Sequence, residues 1–202
     1  MSQKHAIAKI PLNKHTVIKV FLFLRQICVD HRNNKPIKLG GGRVKVEIDK
    51  SLFRHKQKYH RGRQPERELW VFGLAENTGN KKNVSLHLVD DRKADTLLPS
   101  IEQVCPPENV FHSDKYASYR QISSRLHFEH KVVNHSENFV DPITKAHTQC
   151  IETRWNCIKV FIKSRKSTVG TNLDSVLAEF QWKNNIGYKN GLGSLLELLL
   201  DH

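Results

Sequence analysis

The sequence predicts an α/β domain built on a mixed five-stranded sheet flanked by helices. Three observations carry that expectation. Residues 43–49 alternate and are followed by two more strand-like segments joined by a turn, the apolar period then changes from two to about 3.6, and a long amphipathic stretch runs from Thr148 to Lys163.

Before that domain, Val17, Val20, Phe21, Leu24 and Cys28 recur at helical spacing, so residues 15–30 read as a helix with Thr16 available as its cap. From Asn33 to Gly42 the pattern breaks at Asn33-Asn34, Pro36 and Gly40-Gly41-Gly42, which reads as a linker, and the compact core is expected to start near Arg43. Arg43 to Asp49 sets Val44, Val46 and Ile48 against Lys45 and Glu47, a strand with one buried face that ends at Asp49. Two strands follow, Glu68 to Ala75 and Asn83 to Val89, joined by Asn77-Thr78-Gly79-Asn80. Three strands in succession predict an antiparallel meander.

Ala94, Leu97, Leu98, Ile101 and Val104 then form a helical stripe that stops at Pro106-Pro107, which implies a crossover helix. Asn109 to His112 reads as a short buried strand leading into Ser113-Asp114, Tyr116 to Leu126 as a helix, and Lys131 to Asn134 as a last strand. In the closing helix Ile151, Trp155, Ile158 and Ile162 share one face, with Glu152 in the first turns. The order is βββαβαβα. It divides the chain into an amino-terminal helix and Gly-rich linker (1–42), a main domain (43–183) and a tail (184–202) whose apolar segment Leu192 to Leu200 either packs on the core or mediates a homodimer.

The chain's 202 residues at 38% hydrophobic suffice for one principal domain. Lys and Arg outnumber Asp and Glu by 33 to 20, a formal charge of +13 that favours a polyanionic partner. Nucleic acid is the first candidate, although a basic ribosomal or membrane-surface protein shares the excess. The apolar run from Val17 to Leu24 is far too short to span a bilayer, and no secretory leader is evident, so neither a membrane role nor secretion is expected. Cys28, Cys105, Cys150 and Cys157 form no Cys-x-x-Cys pair, which leaves them as ordinary thiols in a reducing compartment.

Three carboxylates attract attention within this frame: Asp49 and Asp114 at strand ends, and Glu152 on the closing helix. Hydrolysis of a phosphodiester needs an activated nucleophile and compensation for charge on the leaving oxygen, which two hard divalent cations held by carboxylates can supply. Taken singly, each residue also reads as an ordinary strand-end acid or a dipole-favoured helix residue. Glu137 and Asp141 are alternative third ligands, though they lie in a loop and are less rigidly aimed. His135, His147 and Asn138 read as residues that position substrate or order that loop. The run Arg54-His55-Lys56-Gln57-Lys58-Tyr59-His60-Arg61-Gly62-Arg63 packs cations around an aromatic side chain between two strands. It reads as a DNA contact, with Arg54, Lys56, Lys58, Arg61 and Arg63 on phosphates and Tyr59 stacking on an unpaired base, or else as a solvated hairpin tip.

The runs Val46-Glu47-Ile48-Asp49, Trp70-Val71-Phe72-Gly73-Leu74 and Val133-Asn134-His135-Ser136-Glu137-Asn138-Phe139-Val140-Asp141-Pro142 resemble the DDE transposase domain of the Merlin and ISXO-like insertion-sequence superfamily. Ala146-His147-Thr148-Gln149 with Ile151-Glu152 and Trp155 resembles the same family's third catalytic block, and Lys159 its downstream lysine. The resemblance spans about residues 15–183 and implies an RNase H-like fold. It further implies Asp49, Asp114 and Glu152 as ligands of two Mg²⁺ or Mn²⁺ ions, with Lys159 and the basic Lys163 on DNA. The implied activity is metal-dependent cleavage and strand transfer on transposon ends and target DNA. The place of action would be the nucleus of a eukaryote or the nucleoid and cytoplasm of a bacterium.

Two departures qualify the likeness. Lys50 follows Asp49 where relatives usually carry Glu, setting a positive charge against the triad. Complete relatives also carry a zinc-binding or helix-turn-helix region ahead of this domain, whereas no zinc pattern precedes Arg43. The alternatives are therefore a truncated or domesticated DNA-binding copy that does not cleave, and a nuclease or resolvase on the same fold.

Overall fold

In a computed structural model of the chain, residues 3–53, 68–76, 78–79, 82–135, 137, 139–164, 169–187 and 199–200 are described. The chain divides into two compact units, Ile37–Asn156 and the pair of segments Met1–Pro36 and Cys157–His202.

The larger unit is built on a sheet of order β3-β2-β1-β4-β5. Strand β1 (Lys45–Leu52) pairs antiparallel with β2 (Trp70–Glu76), which pairs antiparallel with β3 (Val84–Val89). On its other side β1 pairs parallel with β4 (Val110–Ser113), and β4 pairs parallel with β5 (Glu129–Val132). A three-strand meander extended by two parallel strands, each reached through helical crossovers, is the RNase H-like arrangement expected from the sequence.

Alternation along β1 sorts its side chains to two faces. Val46 and Ile48 join Phe72, Leu74 and Phe111 in a core closed by Leu97, Leu98 and Ile101 of helix α3 (Ala94–Val104) and by Tyr119 and Ile122. Leu39 belongs to the same cluster, so the core already begins ahead of Arg43. Glu47 and Asp49 point to the opposite face. The one-sided burial expected for β1 does not hold, because Glu47 is fully buried there, beneath the start of helix α5 (Gln149–Ser164). A strand in the middle of a sheet covered on both faces has no solvent side, whatever its alternation suggests.

Three further expectations are corrected. Asp49 is not the last residue of its strand: pairing with β2 runs on to Leu52, while the ladder to β4 stops at Glu47. The stretch Tyr116 to Leu126 is not one helix but a 3₁₀ turn, Ala117–Gln121, followed by the five-residue helix α4 (Ile122–Leu126). The last strand lies two residues earlier than anticipated, because its register follows β4 from Glu129 to Val132. The turn after β2 is described at Thr78 and Gly79, where Gly79 takes a φ of +76°, the left-handed region that glycine enters without strain.

The face of the sheet that carries Asp49 receives α5 at a glycine. A Cβ on Gly73, the register partner of Asp49, would lie 2.6 Å from Cη2 of Trp155 and 2.9 Å from Cδ1 of Ile151. The helix can approach only because residue 73 has no side chain.

The smaller unit contains helix α1 (Gln3–Lys9), helix α2 (Lys14–Asn34), the carboxyl-terminal half of α5 and helix α6 (Val169–Trp182), an element with no counterpart in the sequence reading. Asn13, not Thr16, caps α2, its side-chain oxygen accepting from the His15 N–H at 2.8 Å. Between α2 and α6, Ile27 and Cys28 pack against Ala178 and Trp182. A buried Arg25–Glu179 ion pair and a two-bond Arg32–Asp174 pair flank that cluster. Most of the Leu192 to Leu200 tail lies outside the described residues. Among the described residues no helix is long and apolar enough to cross a membrane.

Replacing Gly73 by Ala should force Trp155 and Ile151 away from the sheet. The expected outcome is a loss of about 1–3 kcal/mol in urea unfolding, the usual cost of overpacking a filled site.

Candidate active site

The site begins with register. Glu47 and His112 form the last register pair of the parallel ladder, and Asp49 and Asp114 each lie two residues beyond it along their own segments. Neighbouring strands stand about 4.8 Å apart, and two carboxylates are thereby brought to one edge from positions 65 residues apart in sequence, 49 to 114.

Each carboxylate is held by one oxygen. Trp155 Nε1–H donates to Asp49 Oδ2 at 2.9 Å, and the Tyr116 backbone N–H donates to Asp114 Oδ1 at 3.0 Å. The remaining oxygens share one cation, the ammonium of Lys50. Its Nζ donates to Asp114 Oδ2 at 2.5 Å and lies 3.8 Å from Asp49 Oδ1. Tyr116 and Tyr119 present their rings to it at 4.1 and 5.2 Å from Nζ. Burial raises the Asp49 pKa above its usual value, and the nearby Asp114 charge adds to the rise, while Lys50 and the Trp155 hydrogen bond oppose it.

Glu152 is exposed on the first turn of α5. The Thr148 hydroxyl donates to its Oε1 at 2.7 Å, and His135 Nε2 lies 3.6 Å from the same oxygen. Thr148 in turn is 2.8 Å from His135 Nε2, so these three residues form their own hydrogen-bonded set. Trp155, one turn further on, is the α5 residue that reaches Asp49. Among the described residues no three His, Cys, Asp or Glu side chains are close enough together to hold a metal ion. The donor chemistry of Asp49 and Asp114 nevertheless fits a hard cation, since their free oxygens already converge on a positive charge.

What aims α5 is a residue that sequence reasoning assigned to a solvent face. Glu47 Oε2 accepts from the backbone N–H groups of Cys150 and Ile151 at 2.6 and 3.2 Å, so a buried carboxylate caps the helix. Lys45 Nζ lies 3.3 Å from Glu47 Oε1 and donates to His147 Nε2 at 2.7 Å. Glu47 Oε1 and His147 Nδ1, 3.2 Å apart, are both buried without a hydrogen bond. His112 Nδ1 accepts from the His147 N–H at 3.3 Å. An acidic residue two positions before a catalytic candidate, on the same strand face, was the available signal.

The competing carboxylates take other roles. Asp141 Oδ1 accepts from the Ile143 and Thr144 N–H groups and the Thr144 hydroxyl, and these bonds lower its pKa. Glu137 is exposed, its N–H bonded to the Asn134 carbonyl. Lys159 and Lys163 are exposed on α5. Arg54, Lys56, Lys58, Tyr59, Arg61 and Arg63 all lie outside the described residues. The four cysteines are free thiols.

A mixed sheet of this order, a three-strand meander extended by two parallel strands, defines the class of RNase H-like domains. The ISXO2-like transposase domain model matches residues 38–185, and the chain belongs to that family. No curated protein matches it. Among solved structures it is similar to a chain of the simian T-cell lymphotropic virus intasome in complex with PP2A regulatory subunit B56 gamma. That match has 12% identity and TM-score 0.47 over 91% of this chain, and it spans only 64% of the viral chain. It is also similar to the HTLV-2 integrase catalytic core domain in complex with magnesium, with 10% identity and TM-score 0.45, covering 73% of this chain and 86% of that one. The catalytic core domain of BIV integrase is similar at 14% identity and TM-score 0.45, covering 77% and 98%.

Burial, with the Lys45 charge next in weight, lowers the His112 pKa from 6.5 to about 4. Between these values the unfolded chain takes up a proton that the folded one refuses, so stability held above pH 6.5 falls as pH drops toward 4. His112→Asn, which keeps an acceptor for the His147 N–H, should flatten this acid limb in melting curves recorded across that range.

Proposed function

We propose that this domain cleaves DNA at transposon ends and joins the freed 3′-hydroxyl to target DNA, with Asp49, Asp114 and Glu152 as its catalytic carboxylates. The observation that carries the reading is the convergence of Asp49 and Asp114 oxygens on one cation position at the edge of the sheet. Asp49 and Asp114 would hold Mg²⁺ or Mn²⁺, and Glu152 would supply the third acid. Two such ions activate the attacking oxygen and offset charge on the leaving one.

The protein's own part is to aim these groups. Trp155 and the Tyr116 N–H fix one oxygen of each aspartate, which leaves the other free for a ligand without further ordering. Glu47 fixes the start of α5 and therefore the position of the Glu152 backbone. Lys159, Lys163 and the basic segment Arg54 to Arg63 would neutralise phosphates, which positions DNA without reading its sequence. Residues 43–183 form the catalytic region in this reading. The site of action follows the DNA, in a nucleus or a nucleoid.

One observation favours a second reading, a DNA-binding copy that does not cut: the ammonium of Lys50 is paired with Asp114. Incubation of the purified chain with supercoiled plasmid and Mn²⁺ separates the two. The expected outcome is nicking, reduced by roughly a hundredfold or more in Asp114→Asn, the scale on which single electrostatic groups act in active sites. Nicking that survives this substitution unchanged removes the catalytic assignment. Salt-sensitive DNA binding without nicking at any Mn²⁺ concentration selects the second reading.

A further inference from the structure

We propose that Lys50 is a tethered competitor for the catalytic cation: its ammonium occupies the position shared by Asp49 and Asp114, so a divalent ion enters only by displacing it. The inference rests on the reading of these two aspartates as the cation site.

Four contacts define the ammonium's surroundings. Asp114 Oδ2 accepts its hydrogen bond and Asp49 Oδ1 lies at 3.8 Å, while the Tyr116 and Tyr119 ring centroids lie 4.1 and 5.2 Å from Nζ. The Lys50 side chain is 11% exposed. A lysine free on a surface would be worth little to its partners, but here both carboxylates have their other oxygen fixed by an N–H donor, so the pair is preorganised around the charge. The rings of Tyr116 and Tyr119 add a second attraction.

The position also explains why the lysine reaches this point. Lys50 follows Asp49 on β1, so alternation sends its stem to the α3 face of the sheet, the face of Tyr119. The four-carbon side chain then carries the charge past the strand edge to Asp114, where β4 has ended. A shorter side chain or a planar guanidinium would not deliver a compact point charge there.

Two positive charges cannot share this space. At a separation of about 4 Å an ammonium and a divalent ion repel strongly unless one is withdrawn into water. Metal entry therefore costs the Lys50–Asp114 hydrogen bond and both ring contacts. A charge-assisted bond of this kind is worth about 1.5–3 kcal/mol, which corresponds to at least about a tenfold loss of metal affinity.

The test reads metal occupancy without DNA. Free Mn²⁺ is followed by electron paramagnetic resonance as it is titrated into the purified full chain, its Lys50→Met and Lys50→Glu variants, and Asp114→Asn in the wild-type and Lys50→Met backgrounds. Circular dichroism and melting curves establish that each variant is folded. The expected result is that Lys50→Met binds Mn²⁺ at least about tenfold more tightly than the wild type, as the lost hydrogen bond requires. Asp114→Asn should abolish that gain, and at a given Mn²⁺ concentration the melting temperature of Lys50→Met should rise by more than that of the wild type.

Equal Mn²⁺ affinity in the wild type and a folded Lys50→Met or Lys50→Glu variant overturns the proposal. Tight wild-type binding that Asp114→Asn removes overturns it without recourse to any Lys50 variant. Because occupancy is read apart from cleavage, a chain that never nicks DNA still shows whether Lys50 excludes the metal.

Discussion

The parallel pairing of β1 with β4 is the constraint on which the rest depends. Three register pairs, Lys45 with Val110, Val46 with Phe111 and Glu47 with His112, align the two strands. Asp49 and Asp114 lie two residues beyond the last of these pairs, at the same edge of the sheet. Parallel neighbours need a long crossover, and α3 provides it while burying Leu97, Leu98 and Ile101 against the sheet. The crossover that allows the strands to run side by side thus also forms the core that prevents them from sliding.

The second support is electrostatic. A buried carboxylate is costly unless its charge is met, and Glu47 is met by two helix-terminal N–H groups and by Lys45. That arrangement ties the start of α5 to the strand that carries Asp49. Gly73 completes the fit by letting Trp155 and Ile151 lie directly on β2, so an absent side chain and a buried charge cooperate to fix one helix.

Much of the fold was legible because period and punctuation agreed. The β1–β2–β3 meander, the stripe of α3 and the amphipathic face of α5 each combine a clean apolar repeat with a turn, a proline pair or a glycine. Legibility failed where partners distant in sequence decide the outcome. Alternation alone made Glu47 a surface residue, since nothing local reveals that α5 will cover it. The aspartates could be picked out from motif wording, but the hold on them by Trp155 and by the Tyr116 backbone depends on register and packing that no single segment encodes. Helix α6 went unread because its packing against α2 is fixed by Arg25, Arg32, Asp174 and Glu179, which pair only in the folded chain.

Glu47 and Asp49 share one strand face, two positions apart, yet their duties do not overlap: one anchors a helix and the other faces the Lys50 ammonium. Lys50 belongs to neither duty, although it pairs with Phe72 across the β1–β2 ladder and its ammonium meets the ring of Tyr119 in the core. Its backbone pairing does not depend on its side chain, so in the reading proposed above one codon at position 50 would decide whether the same scaffold presents an ammonium or an open pair of carboxylates.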